Sequence, residues 1–448
     1  MRLQYGISAF KRARGDLAEL PVINMYAEEA ASEESGVVLQ SRPGLADRSA
    51  DMGAGPIRAL FKADGVLSGA LFGVSGASLY QAVTSVGTVS GDGPFAIAGY
   101  EDRIFVSGGG SLYTYDGTTL STVSFPDAAN VTKAVVGASR LLAIRADTEQ
   151  FYWSDVLSTT IDALSFSSAE SQPDRLRDIL FIDDIAILFG AETVEFHANT
   201  GDADLPFSPI EGRVMERGIK NTGAASRLGS SFAWVTNNNE VCIGDQDNVV
   251  SAPGLQALIE ASAAAYLFSF FIDGAEFLAM RIDSGTWVYC PRTGTFSQFA
   301  SHDEDNWIIQ CHAGGVFGSA LDGKTYAWGA HVDDGSVLER RFRAGMVLNG
   351  GAFAMGNISL RCNVGQTVFL TGDYTDPQVE MRLSRNAGKT WGEWRSTTLG
   401  VQGNYDKPVR WPGLGLASRP GILAEFRVTA PVDWRVSDVL VNEPYGGF

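Results

Sequence analysis

SLYTYDGTTLSTVSF, residues Ser111 to Phe125, contains two runs with apolar residues at every second place, joined by Asp116-Gly117. Alternation with period two around an Asp-Gly turn specifies a β-hairpin, because successive side chains of a strand point to opposite faces. Just upstream, RIFVSGGG (Arg103 to Gly110) adds an apolar strand and a glycine-rich turn. The local unit is therefore strand, turn, aromatic strand ending in Asp, and return strand, with the hairpin expected in the middle of a blade-like sheet.

That order recurs. RLLAI (Arg140 to Ile144) precedes QFYWSD (Gln150 to Asp155), IAILFG (Ile185 to Gly190) precedes TVEFHA (Thr193 to Ala198), and SFAWV (Ser231 to Val235) precedes EVCIGD (Glu240 to Asp245). EFLAM (Glu276 to Met280) precedes TWVYCP (Thr286 to Pro291), and GVFGS (Gly315 to Ser319) precedes KTYAWG (Lys324 to Gly329). With LSGALFGVSG and SLYQAV (Leu67 to Val83) there are seven units, whose second strands start 33 to 47 residues apart. Periods of roughly 40 to 50 residues with about four strands each are what propeller blades require. The expected fold is all-β: a β-propeller of six or seven blades, followed by a C-terminal β-sandwich-like domain. A string of unrelated β-meanders is the alternative, and it would leave exposed the edges that radial closure protects.

At 448 residues the chain exceeds one ordinary domain. Residues 1–45, with the acidic stretch AEEAASEESG (Ala27 to Gly36), lack the blade pattern and read as an extended N-terminal arm. The propeller is assigned to 46–345. Beyond it, VEMRLS (Val379 to Ser384), AEFRVTA (Ala424 to Ala430) and WRVSDVLV (Trp434 to Val441) are strands with longer connections, which assigns the sandwich to 346–448. GLQALIEASAAA (Gly254 to Ala265) is the one stretch that reads as helix.

The net charge of −18 repels phosphate backbones, so tight DNA wrapping is not expected. Basic clusters at Lys11, Arg12 and Arg14, and at Arg340, Arg341 and Arg343, read as solvated faces or subunit interfaces. Cys242, Cys290, Cys311 and Cys362 form no C-x-x-C pair, so neither zinc nor a disulfide framework is indicated. The N-terminus has no apolar core of signal-peptide length, and AAAYLFSFFI (Ala263 to Ile272) is stopped by Asp273, so the chain is expected to be made in a cytoplasm and not inserted in a membrane.

LSRNAGKTWGEW contains Ser384, Asn386, Gly388, Thr390 and Trp391, which resembles the Asp-box of sialidase propellers with Asn in place of Asp. The physical reading is a structural turn. Asn386 hydrogen-bonds the backbone, Gly388 supplies φ > 0, and Trp391 packs under the hairpin. A sialidase-like glycoside hydrolase also needs converging arginines, a Tyr nucleophile with a Glu partner and an acid Asp, which no spacing here displays. The histidines His197, His302, His312 and His331 show no metal-binding spacing, and there is no nucleophile elbow or phosphate loop. HDEDNW (His302 to Trp307) could hold a cation through Asp303 and Asp305, and reads first as a solvated loop. No catalytic residue, cofactor or metal is expected. A generic propeller scaffold or carbohydrate-binding module is the remaining alternative.

Several stretches together resemble the tail-nozzle, or packaged-DNA stabilisation, proteins of short-tailed bacteriophages. They are LPVINMYAE (Leu20 to Glu28), SRPGL (Ser41 to Leu45), AESQPD (Ala169 to Asp174), FGAETVEFHANTG (Phe189 to Gly201), ERGIKNTG (Glu216 to Gly223) and YDKPVRWPGLG (Tyr405 to Gly415). The resemblance implies a non-enzymatic virion protein, assembled in the host cytoplasm, commonly as a hexamer below the portal and head-to-tail adaptor ring. It implies that the ring lines or closes the channel and retains packaged DNA, with a tail needle, fibre or spike protein attached beyond it. DNA would pass without tight binding.

Overall fold

The apolar runs that announce the repeat fold as the second strands of the blades. Arg103–Gly108, Arg140–Arg145, Ile185–Gly190 and Ser231–Val235 are buried along almost their whole length. A strand covered on both faces reads as a continuous apolar run, which is why these were visible first. The structure, a computed structural model, describes residues 2–9, 19–31, 33, 36–169, 174–246, 248–348 and 351–443.

Seven four-stranded antiparallel units form the propeller. Their innermost strands are Ile57–Phe61, Ala96–Tyr100, Val131–Gly137, Leu176–Ile182, Ala225–Leu228, Tyr266–Ile272 and Ile309–Ala313. In blade 2 the order is Ala96–Tyr100, Arg103–Gly108, Ser111–Tyr115, Leu120–Thr122. The hairpin of Ser111 to Phe125 is thus the outer half of its blade rather than the middle, because the innermost strand, AIAGY, comes first. Its turn is held by Asp116, whose Oδ1 accepts the amides of Thr118 (2.9 Å) and Thr119 (2.8 Å), while Gly117 takes φ +92°. These donors hold the Asp116 carboxyl down at about 2.

Apolar clusters fill the wedges between neighbouring blades: Phe72, Ile104 and Tyr115 between blades 1 and 2, and Leu142, Trp153 and Leu188 between blades 3 and 4. Blades 7 and 1 meet closely. Gln310 Nε2 donates to Ile57 O at 2.9 Å, and a methyl on Gly318 would stand 2.6 Å from Cys311 Sγ and 2.8 Å from Ile57. The expected helix forms over Pro253–Ala261, opened by its proline and ended at Ser262, and seats Leu255 and Ile259 in the core of blades 4 to 6.

The N-terminal segment departs from the expected arm. Gly44–Asp47 is the outermost strand of blade 7, pairing antiparallel with Thr325–Gly329. Val22–Ile23 lies between Thr295–Phe299 of blade 6 and Arg340–Val347, so blade 6 continues into a ten-stranded sheet with Gly421–Val428, Gln378–Ser384 and Arg395–Thr398. The hairpin Met25–Glu29 and Val37–Ser41 joins a second sheet with Arg435–Val441, Phe353–Cys362 and Val409–Ala417. Leu39, Phe342, Ile358, Phe426 and Trp434 share one core between these two sheets, so the C-terminal part is a sandwich completed by N-terminal strands. Position 45/46 falls within Gly44–Asp47, and position 345/346 within Arg340–Val347.

One buried side chain ties these pieces together. Arg42, with no exposed surface, makes a bidentate ion pair with Asp333 at 2.5 and 3.0 Å, and donates Nε to Asn24 Oδ1 at 2.8 Å. Its remaining donors reach Ala300 O (3.2 Å) and Pro43 O (3.0 Å). Asn24, at φ +54°, also accepts Ala300 N at 3.0 Å and donates to Glu339 O at 2.8 Å. Arg340 is equally buried and donates to the carbonyls of Leu338, Ala430 and His331. Burial first, then the like charge of Arg42, push its pKa down to about 9. The cluster of Arg340, Arg341 and Arg343 is therefore not a free interface: Arg341 sits beside Glu339 (3.4 Å), and Arg343 pairs with buried Glu425 (2.8 Å). Strand alternation puts Arg340 on one face and Arg341 on the other, which a charge count does not register.

Removing Arg42 would leave the Asp333 carboxylate buried without its partner. Arg42→Ala is expected to lower unfolding free energy by about 3–5 kcal/mol, the range for breaking one side of a buried pair. Chemical denaturation of the full chain checks this.

Candidate functional site

The Asp-box-like turn is built as its residue types require. Ser384 is buried, and its Oγ accepts Gly388 N at 2.8 Å; Asn386 Oδ1 accepts Thr390 N at 2.8 Å while its Nδ2 donates to Thr390 Oγ1 at 2.8 Å. Gly388 takes φ +87°. Trp391 does not enter the core. It is half-buried and packs on the guanidinium groups of Arg343 and Arg382, each 4.8 Å from its ring centroid. The stack continues, with Arg382 over Trp394 at 4.6 Å and Arg427 over the same ring at 4.1 Å.

Beneath this ladder Glu425, fully buried, receives Arg343 and Arg382, and Glu380 receives Arg427 at 2.6 Å. The register explains the arrangement, since Glu425 stands opposite both Arg343 and Arg382, and Glu380 opposite Arg427. Trp394, Arg382, Glu425 and Arg427 were not singled out from sequence. The signal was present as charges at every second place, E-x-R in Glu380–Arg382 and in Glu425–Arg427, beside a W-x-x-W. Which of them face each other requires the pairing.

The other candidates separate. Asp303, Glu304 and Asp305 are exposed, and His302 Nε2 lies 3.4 Å from Asp303. Among the described residues no group of three or more His, Cys, Asp or Glu is arranged to hold a metal ion. Glu170 and the basic residues Lys11, Arg12 and Arg14 lie outside the described residues. His197 is buried beside Glu195 (3.4 Å) and edge-on to Phe151.

The stretches that carried the resemblance are largely structural. Asp174 caps the turn after Gly190, its carboxylate accepting the amides of Ala191, Glu192 and Thr193 at 2.7–2.8 Å. A side chain on Gly190 would stand 2.1 Å from that carboxylate. Asn221 bridges to Ala265 through both amide atoms (2.9 and 3.0 Å), tying blade 5 to blade 6. Trp411 is buried and donates Nε1 to Arg395 O at 2.7 Å.

A cavity of about 620 Å³ occupies the propeller axis, with residues of all seven blades at its wall. Arg58, Lys133, Arg227 and His312 line it, and among the described residues no Asp or Glu does. Arg58 lies on Phe95 (4.5 Å) and donates to the carbonyls of Gly76, Gly91 and Gly93. Lys133 pairs with buried Asp178 of blade 4, which also accepts Gly223 N at 2.7 Å. His312 Nδ1 is 2.9 Å from Ser269 O, and burial holds its pKa below the usual imidazole range.

A family model described as bacteriophage P22 Gp10, beta-propeller, matches residues 1–289. A curated relative, the tail hub protein gp10 of Salmonella phage P22, is 26% identical over 250 residues, covering 51% of this chain and 50% of the relative, so the match spans half of that protein's length. Solved structures similar in outline include the β-propeller domain of Cps50 (Swd1) from Myceliophteria thermophila, with TM-score 0.40 and 9% identity, covering 62% of this chain and 98% of that one. BamB from Moraxella catarrhalis follows at TM-score 0.33 and 13% identity, covering 68% and 94%.

Because Trp391 is held by contacts with two cations and not enclosed, Trp391→Ala is expected to cost about 1–3 kcal/mol, the sum of two cation–π contacts, below the cost of a core truncation. Urea denaturation checks the size. Burial pushes the Cys311 and Cys362 thiols up to about 12. Both are expected to resist alkylation near pH 8 in the folded chain and to react on unfolding, since only the thiolate is nucleophilic; mass spectrometry after iodoacetamide treatment checks this.

Proposed function

The chain belongs to the family described as bacteriophage P22 Gp10, beta-propeller, and from that premise we propose that it is a structural protein of a phage tail. In this reading it forms a closed ring of six copies, a hub below the portal and adaptor, that lines or closes the DNA conduit and retains packaged DNA. A needle, fibre or spike protein attaches on the far side. Its place is the virion tail, reached after assembly in the host cytoplasm, and its work is mechanical rather than catalytic.

The observation that carries the reading is the family match over residues 1–289, which takes in the N-terminal strands and the first five blades with part of the sixth. The architecture supports it. Propeller and sandwich share one ten-stranded sheet, and the N-terminal strands complete both, as suits a rigid building block. The charge supports it also. Each copy carries −18, so DNA near the wall is repelled within a Debye length of about 8 Å at physiological salt. Retention then comes from constriction or a plug and not from phosphate contacts.

Electron microscopy of the purified protein or of virions tests the assembly: a sixfold ring is expected, and a compact monomer at all concentrations would refute it. Free protein is expected to bind DNA no tighter than about 1 μM at physiological salt, the strong end of non-specific binding. Nanomolar, steeply salt-dependent affinity would overturn the repulsive conduit.

A further inference from the structure

The propeller axis inverts the charge of the molecule. In a chain of net −18 the axial cavity is lined, among the described residues, by three permanent cations and no carboxylate. The three are not equivalent. Lys133 is neutralised by Asp178, and the guanidinium of Arg58 is spent on three backbone carbonyls, with no carboxylate paired to it among the described residues; burial lowers the Arg58 pKa, and Asp92, whose charge opposes that shift, is not at the wall. Arg227 differs from both. Its Nε donates to Gly229 O at 2.9 Å, its side chain is exposed to the cavity, and its two terminal nitrogens have no partner among the described residues.

We propose that this cavity is a binding pocket for a carboxylate-bearing ligand, held by the open fork of Arg227 within the positive field of Arg58. A single guanidinium fork matches the two coplanar oxygens of a carboxylate through parallel hydrogen bonds. The Thr132 hydroxyl and the second amide hydrogen of Gln310 line the cavity and supply neutral donors for the ligand's remaining oxygens, whereas the hydroxyls of Thr222 and Ser226 are donated to the carbonyls of Arg177 and Arg227. A phosphate dianion would call for more free donors than one fork, and Arg58 and Lys133 have already committed theirs. The volume, about 620 Å³, falls within the range of pockets that enclose small organic ligands or a few side chains. This assignment rests on the cavity alone and does not depend on the tail reading.

Two sources share this chemistry: a free polycarboxylate, or the Asp and Glu side chains of an acidic protein segment. Isothermal titration of the full chain with citrate, with the peptide AEEAASEESG and with inorganic phosphate distinguishes them. Citrate or the peptide is expected to bind saturably at one per chain, and at least tenfold more weakly to Arg227→Gln, whose exposed position leaves folding intact. Tighter binding of citrate identifies the free-acid source, and tighter binding of the peptide the protein source. The proposal is overturned if neither binds below about 10 mM, where binding free energy falls under that of a millimolar complex. It is equally overturned if phosphate binds better than both, or if Arg227→Gln, shown folded by circular dichroism, binds as well as wild type.

Discussion

The ion pair between Arg42 and Asp333 is the point on which the rest of the structure turns. All five donors of the guanidinium are used, on Asp333, Asn24, Ala300 and Pro43. Two residues after Arg42 begins the strand that closes blade 7, and Asn24, on its other side, fixes the two-residue strand that fuses blade 6 to the second domain. Neither strand has the length to hold its register alone, since two to four residues bury little surface. A slip of one residue would turn Leu45 outward. Such a pair contributes little net stability compared with apolar packing, but it allows only one placement.

Charge is sorted in space. The exterior carries the acidic excess, the axis gathers cations, and the second domain covers a buried glutamate with a stack of arginines and tryptophans. In that stack the guanidinium planes satisfy Glu425 at their edges and the indoles at their faces, so one layer of side chains serves both as an ion-pair network and as a lid. The Asp-box-like turn places the first indole there. Its role is thereby explained without any catalytic demand.

The propeller was legible in sequence because its second strands, buried on both faces, are continuous apolar runs spaced at blade length. RIFV and IAILF need no knowledge of their neighbours to be recognised. The closing strand GLAD was not legible: four residues long, it derives its strand character from Thr325–Gly329, far along the chain. The same holds for Val22–Ile23. Arg340 and Trp391 were misplaced for a related reason. A charged residue is read as exposed and an indole as buried until tertiary contacts state otherwise, and here the arginine is enclosed by carbonyls while the indole is held by arginines at the surface. The cavity cations come from blades 1, 3 and 5, so no local window could join them.

The closing strand also sets a timetable. Gly44–Asp47 leaves the ribosome first, but its partner Thr325–Gly329 follows about 280 residues later, an interval of roughly 15 to 60 s at ordinary rates of synthesis. Blades 1 to 6 form their sheets from consecutive strands and can assemble as they emerge, whereas the seventh must wait for both ends. Until then the opening segment is an unsatisfied edge beside a growing row of sheets. Its brevity and the proline just before it limit what else it can join. The weakness of that strand, which makes it depend on Arg42 once folded, is what keeps it available during translation.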